Sequence, residues 1–175
     1  MRLLLVLPLV LLLLSNQYAI ALTVFVIAGL SDGLDGLLAK RYGWTSRFGA
    51  IADPLADKLL MVSSYFVLCW QGELPWWLFV VILLRDLTIV GGAYTYHHLF
   101  GLEKIQPTYI SKLNTFMQIL LVVLVIFGLA TGTISDSVIE VVIYLVLATT
   151  VSSGAQYINF WGQRALAKSK SDDHK

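Results

Sequence analysis

Ser31–Lys58 reads SDGLDGLLAKRYGWTSRFGAIADPLADK, and four carboxylates stand in it among small and apolar residues: Asp32, Asp35, Asp53 and Asp57. Asp32 and Asp35 are three residues apart and Asp53 and Asp57 four apart, so on helices each pair lies on one face. Four carboxylates gathered in an apolar chain repel one another and carry a large desolvation cost unless cations sit between them. Oxygen donors on rigid elements suit hard divalent ions, Mg2+ first and Mn2+ next. Two such pairs suit two ions, the arrangement that clamps the attacking and leaving oxygens of a phosphoryl-type displacement.

The residues between the acids fit the same picture. Gly33, Gly36, Ala39, Gly49, Ala50, Ala52 and Ala56 leave little side chain beside the carboxylates, which lets helices approach closely and leaves room for a diphosphate against backbone. A packing seam with charged helix ends is the plainer alternative. It accounts for the glycines and alanines but not for four acids.

Outward from this stretch the chain is apolar. With 58% hydrophobic residues among 175 and a mean hydropathy of +0.78, it reads as an all-α integral membrane protein, not a water-soluble domain. Six spans are expected, at about residues 2–18, 18–39, 47–70, 75–100, 109–130 and 138–161. They form one membrane domain over residues 1–165, followed by a polar tail at 166–175 that is expected to fray. A basic start, a leucine run and Ala19-Ile20-Ala21 also resemble a signal peptide, but the next apolar span follows at once. Trp76 and Trp77 suit an interfacial belt. Pro54 either starts the third helix or kinks it and frees a carbonyl. Cys69 stands alone and reads as a packing residue. His97 and His98 are adjacent, so they face different sides of a helix and make a poor metal pair.

Charge sets the topology. Arg2, the Lys40–Arg47 turn, Lys58, Arg85, Lys104, Lys112 and the tail fall on one side, whereas the turns Ser15–Gln17, Gln71–Leu74 and Thr131–Ser137 hold no Lys or Arg. By the positive-inside rule both termini and the acids face the cytoplasm. The net charge of +1 gives no reason to expect a nucleic-acid partner. Arg85 and Asp86 interrupt an apolar run, which marks either a functional site or a private ion pair. Lys112, at the start of the fifth span, is either a ligand for an anion or a snorkelling lysine.

The pattern Asp-x2-Asp-Gly-x2-Ala-Arg-x8-Gly-x3-Asp-x3-Asp marks the CDP-alcohol phosphatidyltransferases. This chain resembles it through Asp32, Asp35, Gly36, Ala39, Gly49, Asp53 and Asp57, with every spacing kept. Lys40 stands where the family usually has Arg; charge survives there but the planar fork does not, unless Arg41 compensates. The resemblance implies a six-helix membrane enzyme, usually a homodimer, with a polar metal-binding cavity at the cytoplasmic side of a bacterial inner membrane. Such an enzyme moves a phosphatidyl group from CDP-diacylglycerol to an alcohol and releases CMP. It further implies that Asp32, Asp35, Asp53 and Asp57 hold two divalent ions, Mg2+ or Mn2+, and that Asp57 is also the catalytic base. Asp32, Gly36, Ala39, Lys40 and Gly49 would then line the CDP-donor site.

Later stretches narrow the expectation. Arg85-Asp86, PTYISKLNT and TTVSSGAQYINFWGQ look more like cardiolipin synthases, with phosphatidylglycerol as acceptor. Phosphatidylglycerophosphate synthases, which use glycerol 3-phosphate, tend to carry Arg-Glu and a Gly-Lys-x-Lys-Thr fifth-helix start. In either case the acceptor carries a phosphate, and Arg85 and Lys112 are the candidates to bind it. Arg2–Pro8 resembles the end of a family Pro-Asn-x-x-Thr-x-x-Arg interfacial helix, so the chain is expected to start late relative to its family. The rival class is a non-enzymatic cation-binding protein or transporter. Transporter sites prefer the bilayer midplane, whereas these acids are expected near one surface.

Overall fold

The computed structural model describes the backbone of residues 2–42, 49–100 and 108–172, and side chains over 4–31, 56–92 and 108–157. Six helices follow one another: α1 (Arg2–Leu14), α2 (Tyr18–Tyr42), α3 (Gly49–Trp70), α4 (Trp76–Phe100), α5 (Tyr109–Thr131) and α6 (Asp136–Asp172). Among the described residues there is no strand, as the apolar spans predict. Two stretches of the described residues are long and apolar enough to cross a membrane, Tyr109–Thr131 and Asp136–Tyr157; Leu4–Leu14 and Tyr18–Ser31 are apolar but shorter. With 13 residues, α1 is about 20 Å long, against a bilayer core of about 30 Å.

The largest departure of a helix end from the sequence expectation is at the C-terminal tail. The polar tail was expected to fray beyond residue 165, yet α6 continues through Asp172. Ala165, Leu166, Ala167 and Lys168 are strong helix formers, and no Gly or Pro follows Gly162 to stop them.

Side-chain exposure runs opposite to that of a water-soluble bundle. Arg85 and Asp86 are 8% and 9% exposed, while their neighbours Leu84 and Leu87 are each 58% exposed. In water that arrangement hides charge and shows hydrocarbon. In a bilayer it places leucines in lipid and charge in the protein interior, where partners are available. Leu4, Leu7 and Leu30 are likewise exposed, and Ser64, Asn114, Thr150 and Ser153 are buried.

The chain groups into two compact units, Met1–Trp76 with Ile119–Glu140, and Trp77–Gln118 with Val141–Lys175. In the first unit α1 packs against both α2 and α3. Leu9 and Leu13, Ala21, Phe25 and Ala28, and Leu60, Tyr65 and Leu68 are buried there. Ser63 and Ser64 donate to the Leu59 and Leu60 carbonyls at 2.6 and 2.8 Å, which satisfies both hydroxyls within α3. The unit holds the three turns that lack Lys and Arg, and all three reverse through a left-handed residue: Asn16 (φ 57°), Gly72 (φ 84°) and Gly132 (φ 67°). That conformation closes a helix C-terminus with little or no Cβ penalty for Gly and Asn. The first and second turns are tied together by Gln71, whose side-chain amide donates to the Leu13 carbonyl at 2.8 Å and to Asn16 Oδ1 at 3.2 Å.

In the second unit the described apolar core includes Leu78 and Ile82 on α4 and Val142, Ile143, Val146 and Tyr157 on α6. Its interior also carries buried charge, Arg85 and Asp86, and the buried amide of Asn114.

Candidate functional site

The two acid pairs fall on two helices. Asp32 and Asp35 lie in the backbone of α2, and Asp53 and Asp57 lie in the first turns of α3. At the level of the backbone each pair therefore occupies one helical face. Gly36, Ala39 and Lys40 also lie on α2, and Gly49 begins α3. Lys40 was expected in a loop but is helical, because α2 continues to Tyr42. The side chains of Asp32, Asp35, Ala39, Lys40 and Asp53, and the expectation that the two pairs face each other in one cavity, lie outside the described residues.

Asp57 is within them. It is half-buried, next to Ala56 and one turn before Leu60, both buried. It therefore stands at the edge of the apolar face of α3, not on an open surface. Pro54 lies inside α3, past its first turn. Having no N–H, it cannot donate to the Ala50 carbonyl, so that acceptor is released near the acids. Among the described residues no three His, Cys, Asp or Glu gather as a metal centre, and only Asp57 of the four acids is described in full. The donor chemistry is the remaining test of fit. Four carboxylates, with no thiol or imidazole in the same stretch, suit Mg2+ or Mn2+ and not a soft metal.

Arg85 is the best-defined polar group in the second unit. Its Nη1 donates to Asp86 Oδ1 at 2.8 Å, and its Nη2 donates to Ser111 Oγ at 2.6 Å and Ser153 Oγ at 2.7 Å. The guanidinium thus joins α4, α5 and α6. Nε is enclosed and has no partner among the described residues. Of the five N–H groups that a guanidinium carries, three are engaged and one is enclosed. That leaves a single Nη1 hydrogen for anything else. The private ion pair that the sequence allowed does form, and the two serines extend it.

Local sequence explains why Ser111 stands where it does. Thr108 caps α5, its Oγ1 accepting from the Ser111 N–H at 3.3 Å, which places Ser111 in the first turn. One turn on, Asn114 is fully buried. Its Oδ1 accepts from Thr150 Oγ1 at 2.8 Å and Thr149 Oγ1 at 3.0 Å, and its Nδ2 has no partner among the described residues. The Thr149 hydroxyl also reaches the Leu145 and Val146 carbonyls. Lys112 lies elsewhere. It is exposed, with Nζ 5.6 Å from the centre of the Tyr109 ring, so it is not part of this buried cluster.

Sequence reading identified Arg85 but missed the serine, threonine and asparagine partners. The signal was present. Ser111 and Asn114 are three apart, as are Thr150 and Ser153, each pair on one face of an apolar helix.

Comparison with known proteins agrees with the pattern around the acids. The family model for CDP-alcohol phosphatidyltransferase matches residues 1–152. A Mycobacterium tuberculosis protein named "Probable phosphatidylglycerophosphate synthase" is 34% identical over 146 residues, covering 82% of this chain and 66% of that protein. A Drosophila melanogaster protein named "Probable cardiolipin synthase (CMP-forming)" is 28% identical over 160 residues, covering 82% and 50%. The human "Cardiolipin synthase (CMP-forming)" is 27% identical over 171 residues, covering 89% and 56%. The chain thus spans about half to two thirds of the length of these relatives.

Proposed function

The chain belongs to the CDP-alcohol phosphatidyltransferase family, and from that membership we propose that it transfers a phosphatidyl group from CDP-diacylglycerol to an alcohol in phospholipid synthesis. The observation that carries this reading is the set Asp32, Asp35, Gly36, Ala39, Gly49, Asp53 and Asp57 at the family's spacings, on two helices of one unit. Asp32, Asp35, Asp53 and Asp57 would hold two divalent ions, and Asp32, Gly36, Ala39, Lys40 and Gly49 would receive the CDP moiety. When bound, Mg2+ or Mn2+ supplies charge neutralisation of the donor diphosphate.

In this reading Asp57 takes the proton from the acceptor hydroxyl. The freed oxygen attacks the phosphatidyl phosphorus, a new P–O bond forms, the P–O bond to CMP breaks, and CMP leaves. The half-buried setting of Asp57 limits competing water. Arg85 receives the acceptor phosphate through its one unengaged N–H, with Lys112 as an outer, exposed cation. Residues 1–165 work as one transferase domain of a multi-pass bacterial inner-membrane protein, as a homodimer, with the acids facing the cytoplasm. Support for that orientation is the absence of Lys and Arg from all three turns of the opposite side.

Phosphatidylglycerol is the acceptor we propose, with cardiolipin as product. Glycerol 3-phosphate is the second reading, and the 34% identity to the mycobacterial relative favours it. Purified protein given CDP-diacylglycerol with each acceptor in turn is expected to form cardiolipin from phosphatidylglycerol, resolved by thin-layer chromatography. Phosphatidylglycerophosphate as the sole product would overturn the acceptor assignment and keep the reaction class.

A further inference from the structure

The buried polar groups of the second unit form two layers with a common register. In one layer Ser111 on α5 and Ser153 on α6 converge on Arg85 Nη2. In the other, Asn114 on α5 meets Thr149 and Thr150 on α6. Three residues forward on α5 correspond to three residues back on α6, so the layers are successive rungs of one antiparallel helix pair, about 4.5 Å apart. Sliding either helix by one residue turns its rung by about 100° and breaks both layers together.

The second rung has the character of a register lock. Asn114 is fully buried, Thr150 is 1% exposed and Ser153 is fully buried, so water cannot replace the bonds. Both threonine hydroxyls donate to Oδ1 of Asn114, so the amide oxygen faces α6. The first rung has the character of a holder. It occupies both hydrogens of Nη2 and sets the plane of the guanidinium. Gly154 lies alongside the aliphatic stem of Arg85: a Cβ there would sit 3.8 Å from Arg85 Cγ, an ordinary packing contact. The direction of the one unengaged Nη1 hydrogen therefore depends on Ser111 and Ser153, and their spacing depends on Asn114.

We propose that Asn114, clamped by Thr149 and Thr150, is a positioning residue for the acceptor step: it fixes the α5–α6 register that aims Arg85. This rests on the reading of Arg85 as the group that meets the acceptor phosphate. Asn114 itself has no exposed surface, so it acts through Arg85 and not by touching substrate.

The test is a double-mutant cycle on the full chain in detergent, with steady-state CMP release measured against phosphatidylglycerol and against CDP-diacylglycerol. Asn114→Leu keeps the volume and removes the rung. It is expected to raise the acceptor KM about tenfold, the kinetic size of one misaligned charge-assisted hydrogen bond, and to leave the donor KM within about twofold. In an Arg85→Lys background, where the fork is already lost, the same substitution is expected to change the acceptor KM by less than about twofold. Thr150→Val is the milder variant if Asn114→Leu does not fold, with an expected rise of about threefold in acceptor KM. Equal effects in both backgrounds, or donor and acceptor KM rising together, would overturn the proposal and leave Asn114 a packing residue. An acceptor KM unchanged by Arg85→Lys alone would instead overturn the acceptor reading of Arg85, and with it this inference. Absence of CMP release from the unmodified protein would overturn the transferase reading as a whole.

Discussion

Asp57→Asn is expected to lower CMP release from CDP-diacylglycerol by about a thousandfold or more, with the protein still folded and still extracted as the same species. A general base contributes about 10²–10⁴-fold, and this side chain is proposed to hold metal as well. Asn keeps the volume and one oxygen but loses the charge and the basicity. The half-buried setting between Ala56 and Leu60 makes the replacement sterically silent. Removing one negative charge from a crowded acidic stretch also lowers self-repulsion when metal is absent, so thermal stability without metal is expected to hold or rise. Loss of activity with preserved or raised stability separates a chemical role from a structural one. A fall in stability matched by only a small fall in turnover would place Asp57 in packing.

Arg85→Met is expected to act the other way, destabilising the fold before any kinetic effect can be read. The guanidinium joins three helices through Asp86, Ser111 and Ser153, and its side chain is 7% exposed. Removing one partner of a buried ion pair costs about 3–5 kcal/mol. The fully buried Ser153 hydroxyl also loses its donor where water does not replace it. Removing both charges, as Arg85→Met with Asp86→Leu, is expected to recover much of the loss, since well-packed apolar pairs often match or exceed buried ion pairs. Thermal unfolding in detergent, followed by loss of the monodisperse species, provides the comparison. If the single variant is as stable as the unmodified chain, the buried network is not a keystone of the second unit.

Much of this architecture was written plainly in the sequence. Apolar runs punctuated by Ser15–Gln17, Gln71–Leu74 and Thr131–Ser137 set the order of the helices, because each turn holds a residue able to take the left-handed conformation. Asp32, Asp35, Asp53 and Asp57 were legible for another reason: acids are costly in such a chain, so regular spacing among them carries information. Arg85 was visible on the same ground.

What was hidden is neutral. Ser111, Asn114, Thr150 and Ser153 cost little in an apolar helix when they bond locally, so their presence alone does not announce a partner. Only the pairing of α5 with α6 turns two unremarkable three-residue spacings into a ladder. The surroundings of Lys112 were hidden for the opposite reason. Its charge drew attention, but its long stem carries the ammonium to an exposed place beside Tyr109, which a position in sequence does not specify. The helical tail of α6 was missed because polarity was given more weight than the helix propensity of Ala165–Lys168.

We propose that the two acid pairs use divalent metal to move a phosphatidyl group to an alcohol. The most direct test is CMP release by the purified protein from CDP-diacylglycerol, measured with and without phosphatidylglycerol, first in excess EDTA and then after Mg2+ or Mn2+ is restored. Release is expected only when metal and acceptor are both present, with cardiolipin formed in equal amount. CMP release that continues in EDTA, or none with any acceptor at any level of either ion, would contradict this proposal.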